Sequence, residues 1–308
     1  MPEGHTLHRL AQTLDAAFVG TRPQVTSPQE RFVEGAARLD GHLVERAEAW
    51  GKHLFVTFED DLILNVHLGL IGVFDVSRFA AEPGSGLTPP PPVGAVRLRM
   101  VNDTHVGDLR AMTLIEVVSP EQLDATVARL GPDPLRAGQI GNDPGRALAR
   151  LARTGRSIAE CLMDQSILAG VGNVYRCEVL FRHRVDPFRP GKEIRPKTFL
   201  AMWDDLVQLM PVGVAFGQII TLDDQLDEAR ELMAQGDPAA YAREWRGGLE
   251  GELRRVRRPA YEAAGPFERE YAVYKRTGEP CLVCGSKVRT AVVAGRNLYW
   301  CGRCQRRR

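Results

Sequence analysis

Near its carboxyl end the 308-residue chain carries Cys281-Leu282-Val283-Cys284 and Cys301-Gly302-Arg303-Cys304, two Cys-x2-Cys knuckles separated by sixteen residues. Four thiolates at this spacing satisfy the tetrahedral preference of Zn2+, and a module of about 40 residues has too little core to fold without such a staple. One structural zinc ion held by Cys281, Cys284, Cys301 and Cys304 is therefore expected. The alternative, two disulfides, belongs to an oxidising compartment. Between the knuckles, Lys287–Val293 and Asn297–Trp300 predict two strands of a hairpin with Gly295 and Arg296 at its turn. From Lys275 to Arg308 nine basic residues face one acid, Glu279, a surplus that the whole-chain net charge of +1 conceals. Zinc ribbons bind proteins almost as often as nucleic acids, and this surplus tilts the expectation to a polyanion, with Arg296 set against a phosphate.

With 44% apolar and 26% charged residues the composition is that of a globular chain, long enough for two or more domains with separate cores. No apolar run approaches the length of a membrane span, and the first residues lack the plan of a secretory signal. A cytoplasmic protein without a membrane partner is expected.

Leu7, Leu10, Leu14 and Phe18 recur at steps of three and four, which predicts a helix ending near Gly20 with Pro2 and Glu3 at its start. From about Gly41 to Val118 the texture changes to short β-rich runs: His53–Phe58, Leu62–His67, Leu70–Val76, Val96–Val101 and Met112–Val118. These predict an antiparallel sandwich. Within Val96–Met100 the apolar residues alternate with Arg97 and Arg99, the pattern of a strand with basic residues outward. Glu82–Gly94, with four consecutive prolines, is expected to be a surface loop. Beyond Val118 the chain turns helical, beginning at Ser119-Pro120-Glu121-Gln122, which has the form of a capping box. After a Gly/Pro-rich connection, Gly131–Gly145, one helix from Ile158 to about Asp164 and another through Val179, Leu180 and Phe181 flank Gly170-Val171-Gly172-Asn173. A further helix is expected over Pro196–Met210. The acid-rich stretch Asp223–Glu252 reads as an exposed helical insertion or a mobile segment.

Several residues could carry chemistry. If Met1 is removed, Pro2 becomes a terminal secondary amine, and an α-amino group with a reference pKa of roughly 7.7 to 8.0 is a usable nucleophile near neutral pH. Glu3 beside it could carry protons; the plainer reading of Met-Pro-Glu is the first turn of a helix. Gly170 and Gly172 allow backbone amides to approach an anion at a helix start, and Asn173 could cap that helix and offer its amide to a phosphate. The plainer reading is an ordinary interhelical turn. Lys52, at the Gly51-Lys52 turn, could reach a site containing Pro2. Cys161 and Cys177 read as small core residues, and His5 and His8 lack a third partner for metal binding.

Taken together, Pro2-Glu3-Gly4, Gly51-Lys52, Leu168 to Tyr175 and Tyr274 to Gln305 resemble, in their order and distances, the formamidopyrimidine-DNA glycosylase and endonuclease VIII family. The resemblance implies an α+β fold: an N-terminal helix with a two-layer antiparallel β-sandwich (residues 1–125), a helical helix-two-turns-helix domain (126–268) and a C-terminal β-hairpin zinc finger (269–308). It implies a bifunctional DNA glycosylase and abasic-site lyase acting as a monomer on double-stranded DNA with oxidised bases or abasic sites, in a bacterial-type cytoplasm. By similarity Pro2 is the nucleophile, Glu3 the proton carrier and Lys52 a catalytic contact to DNA near the reacting sugar. Asn173 and Arg296 would hold phosphates, and Leu70 would wedge into the vacated stack. The chain departs from the family pattern at His5-Thr6, where many members carry Pro-Glu, and it lacks the Asp-x-Arg-Arg-Phe-Gly loop of the oxidised-purine branch. With Gly4, this favours the endonuclease VIII branch and oxidised pyrimidines. The alternative is a non-catalytic, zinc-stabilised damaged-DNA-binding protein, from which only Pro2, Glu3 and Lys52 discriminate.

Overall fold

Leu7, Leu10, Leu14 and Phe18 are each at most 3% exposed, so the predicted apolar stripe is the buried face of helix α1 (Gly4–Phe18). The structure, a computed structural model, describes residues 2–79, 89–236 and 266–306. Among these the chain forms two compact units, Pro2 with Thr6–Ala128 and Glu3–His5 with the residues from Arg129 onward.

In the first unit α1 is followed by β1 (Gln24–Thr26), α2 (Val33–Leu39), β2 (Val44–Trp50), β3 (His53–Phe58), β4 (Ile63–His67), β5 (Val73–Arg78), β6 (Val96–Val101), β7 (His105–Arg110), β8 (Leu114–Val118) and α3 (Pro120–Arg129). Two four-stranded antiparallel sheets result, in the orders β1-β6-β7-β5 and β2-β3-β4-β8. Val56, Leu64 and Val66 of one sheet and Leu98, Met100 and Leu109 of the other share a core with the α1 stripe. Each such side chain contributes about 1.5–3 kcal/mol on burial. This is the expected sandwich. The capping box at the start of α3 forms: Ser119 N donates to Gln122 Oε1 at 2.9 Å, and Gln122 N donates to Ser119 Oγ at 3.4 Å.

Two expectations need correction. Arg99 does not face solvent: it is 6% exposed, lies 3.7 Å from Asp108, and donates to the carbonyl of Pro90. The described part of the proline-rich loop thus lies over Arg99, and Arg110 Nε reaches the carbonyl of Val93 beside it. Elements β1, β2, β7 and α2 were not predicted. β2 is an edge strand carrying Glu45, Arg46 and Glu48, and β7 contains Gly107 and an Asp108 that is paired with Arg99 of β6 and with Arg110 at the end of β7 itself. Residues 80–88 of the loop lie outside the described residues.

The second unit contains α4 (Gly145–Leu151), α5 (Ile158–Cys161), α6 (Asn173–Arg182), α7 (Pro196–Phe216), α8 (Asp223–Gln235) and the hairpin β9 (Val288–Val293) and β10 (Arg296–Cys301). Helix α6 is the centre of its core; Val174, Tyr175, Cys177, Val179, Leu180 and Phe181 are all buried. Cys161 and Cys177 are buried free thiols, as expected. Helix α7 runs six residues beyond the predicted end and passes through Pro211. With 21 residues and a mean hydropathy of 1.3 it is long and apolar enough to cross a membrane, which the sequence reading overlooked, but its Phe199, Met202, Leu206, Leu209 and Phe216 are packed in the core. The acidic stretch begins with α8; its part beyond 236 lies outside the described residues. The hairpin turn is Ala294-Gly295, both at positive φ, and Arg296 opens β10 rather than occupying the turn.

Candidate functional site

Glu3 is fully buried, and its carboxylate is bound by the amino-terminal end of a helix distant in sequence. Gly172 N donates to Oε2 and Val174 N to Oε1, both at 2.8 Å, with Tyr175 N at 3.5 Å from Oε2. These are free donors of the first turn of α6, where the helix dipole also favours an anion. The anion that the Gly-x-Gly turn approaches is thus Glu3 itself. Two glycines make this possible. A Cβ on Gly172 would stand 2.3 Å from Glu3 Cδ, and one on Gly4 would stand 2.8 Å from Gly170 Cα. Gly4 N donates to Gly170 O at 2.7 Å, which locks the residue after Glu3 onto the same turn.

Asn173 does not cap α6; Gly172 is the cap residue and Asn173 the first helical position. Its side chain, 4% exposed, accepts from Arg176 at Oδ1 and donates from Nδ2 to Asn297 O at 2.9 Å. Arg176 is fully buried and also donates to Val293 O at 3.3 Å. Burial pushes its guanidinium pKa below the usual value, and nearby Arg296 acts in the same sense. Glu178 is likewise fully buried, accepting from the backbone N–H of Ala272, Val273 and Tyr274 at 2.8–3.0 Å and from the hydroxyl of Thr221. Desolvation raises its pKa, and the three backbone donors oppose that rise. Arg296 stands beside Asn297 at the start of β10, and its Nε has no hydrogen-bond partner among the described residues. Asn173 and Arg296 are therefore brought together.

The four cysteine Sγ atoms lie within 4.8 Å of one another, with Cys281–Cys304 at 3.9 Å and Cys284–Cys301 at 3.4 Å. A tetrahedron with Zn–S bonds of about 2.3 Å has sulfur separations of about 3.8 Å, so the site fits one structural zinc ion.

In the first unit, Pro2 is buried. Lys52 lies at the β2–β3 turn, next to His53, which pairs with His67 at the end of β4. The His53 and His67 rings meet edge-on at 5.1 Å, and His53 Nδ1 lies 3.2 Å from Asn65 Oδ1. Burial, then His53, then Lys52 push the His67 pKa down to about 4. Neutral His67 accepts from Gly69 N at 3.1 Å through Nδ1, fixing the start of the turn that presents Leu70 and Ile71, 48% and 76% exposed. Lys52 and Leu70 thus sit at the same end of the β3–β4 pair.

Arg176, Glu178 and His67 were not singled out from the sequence. The available signal for the first two was a pair of charged residues inside an otherwise apolar helical run, which can remain there only if paired or hydrogen-bonded.

Comparison with known proteins gives a consistent result along the chain. Residues 1–114 match the formamidopyrimidine-DNA glycosylase N-terminal domain, 130–224 the formamidopyrimidine-DNA glycosylase H2TH domain, and 278–307 the zinc finger found in FPG and IleRS. The chain is 44% identical over 305 residues to Endonuclease 8 1 of Mycobacterium tuberculosis, covering 99% of this chain and 100% of the relative. It is 28% identical to the formamidopyrimidine-DNA glycosylase of Geobacillus kaustophilus, over 88% of this chain and 84% of that one. Among solved structures it resembles MutM (Fpg) of Thermus thermophilus, with a TM-score of 0.68 and 26% identity over 99% and 98% of the two chains. It also has the fold of Lactococcus lactis Fpg in complex with DNA containing an abasic site, with a TM-score of 0.72 at 19% identity over 99% and 100%.

Proposed function

Because this chain belongs to the formamidopyrimidine-DNA glycosylase and endonuclease VIII family, whose members are DNA glycosylases and abasic-site lyases, we propose that it excises oxidised pyrimidines from duplex DNA through the amine of Pro2. Removal of Met1 exposes that amine. The nitrogen attacks C1′ of the damaged nucleotide, the glycosidic bond breaks, and the base leaves with a proton. The amine's proton goes with the departing base; Glu3, having taken up a proton from solvent, delivers it to the sugar ring oxygen as the C1′–O4′ bond breaks, which leaves an iminium between Pro2 and C1′. The cation acidifies the C2′ proton; its removal breaks the C3′–O bond and releases the 3′ phosphate, and a second elimination can release the 5′ phosphate. Water then frees the amine. Lys52 contacts DNA near the reacting sugar, Leu70 fills the vacated stack and so offsets part of the unstacking cost, and Asn173 and Arg296 hold phosphates. The zinc ion keeps the ribbon folded. The protein works as a monomer in the cytoplasm, on the nucleoid.

The observation that carries this reading is the Glu3 carboxylate, buried against amides 169 and 171 residues away. A first-turn acid serving only the dipole of its own helix has no need of such a cradle; an acid held rigidly beside a nucleophile does. Single-turnover assays on matched duplexes with one oxidised pyrimidine or one oxidised purine test it. Faster release of the pyrimidine is expected; excision of neither base with intact duplex binding would favour the damage-binding alternative.

A further inference from the structure

Helix α6 does more than close the core. Three side chains on its first turns face the segment that carries Arg296. Asn173 donates to Asn297 O, Arg176 donates to Val293 O, and Cys177 Sγ accepts from Tyr299 N at 3.5 Å. Val293 and Arg296 face each other across the two-residue turn, and Asn297 follows Arg296 on β10. The strands on either side of the turn are thus each tied to α6 through a backbone carbonyl.

Arg176 also decides what Asn173 can do. A guanidinium only donates, so the atom of the Asn173 amide facing it must be the oxygen. The NH2 group is then turned the other way, with one hydrogen on Asn297 O and the phenol of Tyr274 as a second hydrogen-bond neighbour. A donor group on this side suits a phosphate oxygen, and the amide oxygen in its place would repel one. Arg176 is itself held by Ala159 O at 3.5 Å on the neighbouring α5, which fixes the origin of both bonds. Without the guanidinium the amide oxygen would lose its donor and only the Nδ2 bond to Asn297 O would be left to orient the amide, and the β9 strand would lose its tie.

We infer that Arg176 is the positioning residue of the phosphate clamp: its buried guanidinium sets the orientation of the Asn173 amide and, together with that amide, holds the hairpin turn that carries Arg296. The inference rests on the reading that Asn173 and Arg296 bind phosphate.

The test is the salt dependence of binding to an abasic-site duplex by the full-length, zinc-loaded protein. R176M, R296A and the double variant are compared, with zinc content measured on each. R176M is expected to weaken binding about tenfold at physiological salt and to lower the salt slope by about one unit, at unchanged zinc content. On the R296A background it should add less than about twofold, because residues acting through one another are not additive. A wild-type slope for R176M, or full additivity with R296A, would overturn the inference. Should R176M lose zinc or fold poorly, R176K takes its place: it keeps the buried charge but cannot span Asn173 and Val293. The same lowered slope is expected, and a wild-type slope refutes the role. If R296A alone leaves the slope unchanged, the phosphate reading itself fails; if R296A lowers it and neither Arg176 variant does, only the positioning role fails.

Discussion

Gly172→Ala isolates the Glu3 cradle from every other feature of the site. The backbone of Gly172, at φ −122 and ψ −157, is open to any residue, so the substitution introduces no backbone strain. The added methyl would lie 2.3 Å from Cδ and 2.5 Å from Cγ of Glu3, against an ordinary carbon contact of about 3.5–4.0 Å. The carboxylate must retreat by about 1 Å or more, and its bonds to Gly172 N and Val174 N lengthen beyond use. Overpacking of this kind costs about 1–3 kcal/mol of stability, which the helical core of the second unit can absorb. The kinetic cost is larger: a displacement of about 1 Å at a reacting group lowers rates about 100-fold, or roughly 2.7 kcal/mol in the barrier. The assay is single-turnover strand cleavage of an abasic-site duplex at saturating enzyme, with melting temperature and zinc content as controls. Gly155→Ala, whose added Cβ meets nothing within 4 Å, serves as the matched neutral change. A folded Gly172→Ala protein that cleaves at the wild-type rate would refute the assignment of Glu3 as proton carrier.

Four further outcomes are expected. Pro2→Gly keeps an amine but loses the ring that orients it, so strand cleavage should slow, and wild-type rates would remove Pro2 from the mechanism. Arg296→Ala should lower affinity for duplex and reduce the salt slope by about one unit; titrations across salt concentrations check it. Chelating the metal should unfold the ribbon and abolish binding, and full binding by zinc-free protein would exclude the ribbon from the interface. His67, half-buried and with its pKa held at about 4 against an ordinary value near 6.5, stays neutral in the folded chain while the unfolded chain takes up the proton first. Its contribution to stability is present in full above about pH 6.5 and falls away as pH drops toward 4. His67→Asn should flatten the melting temperature over that window, and an unaltered pH profile would contradict the assignment.

The local patterns were legible in the sequence and the long-range ones were not. The three-and-four spacing from Leu7 to Phe18, the runs His53–Phe58 and Val96–Val101, and the cysteine knuckles each specify their element through neighbours only a few residues away. The edge strand β2 and the Asp108-bearing β7 escaped because their polar residues are satisfied by solvent, by Arg99 on β6 or by Arg110 at the end of β7. The Gly-x-Gly turn is legible in the sequence as a place where amides could approach an anion or as an ordinary interhelical turn. That the anion is Glu3 follows only once residues 3 and 172 are adjacent. Arg176 and Glu178 are not legible as fixed charges because the carbonyls and amides that satisfy them lie about 100 residues downstream.

The central claim is that the amine of Pro2 forms the covalent link to the sugar. Intact-protein and peptide mass spectrometry before and after borohydride reduction with an abasic oligonucleotide tests it directly. The account predicts a chain lacking Met1 that gains one reduced DNA adduct, mapped to the peptide beginning at Pro2. A chain lacking Met1 that gains no adduct, or gains it on a lysine such as Lys52, would contradict it.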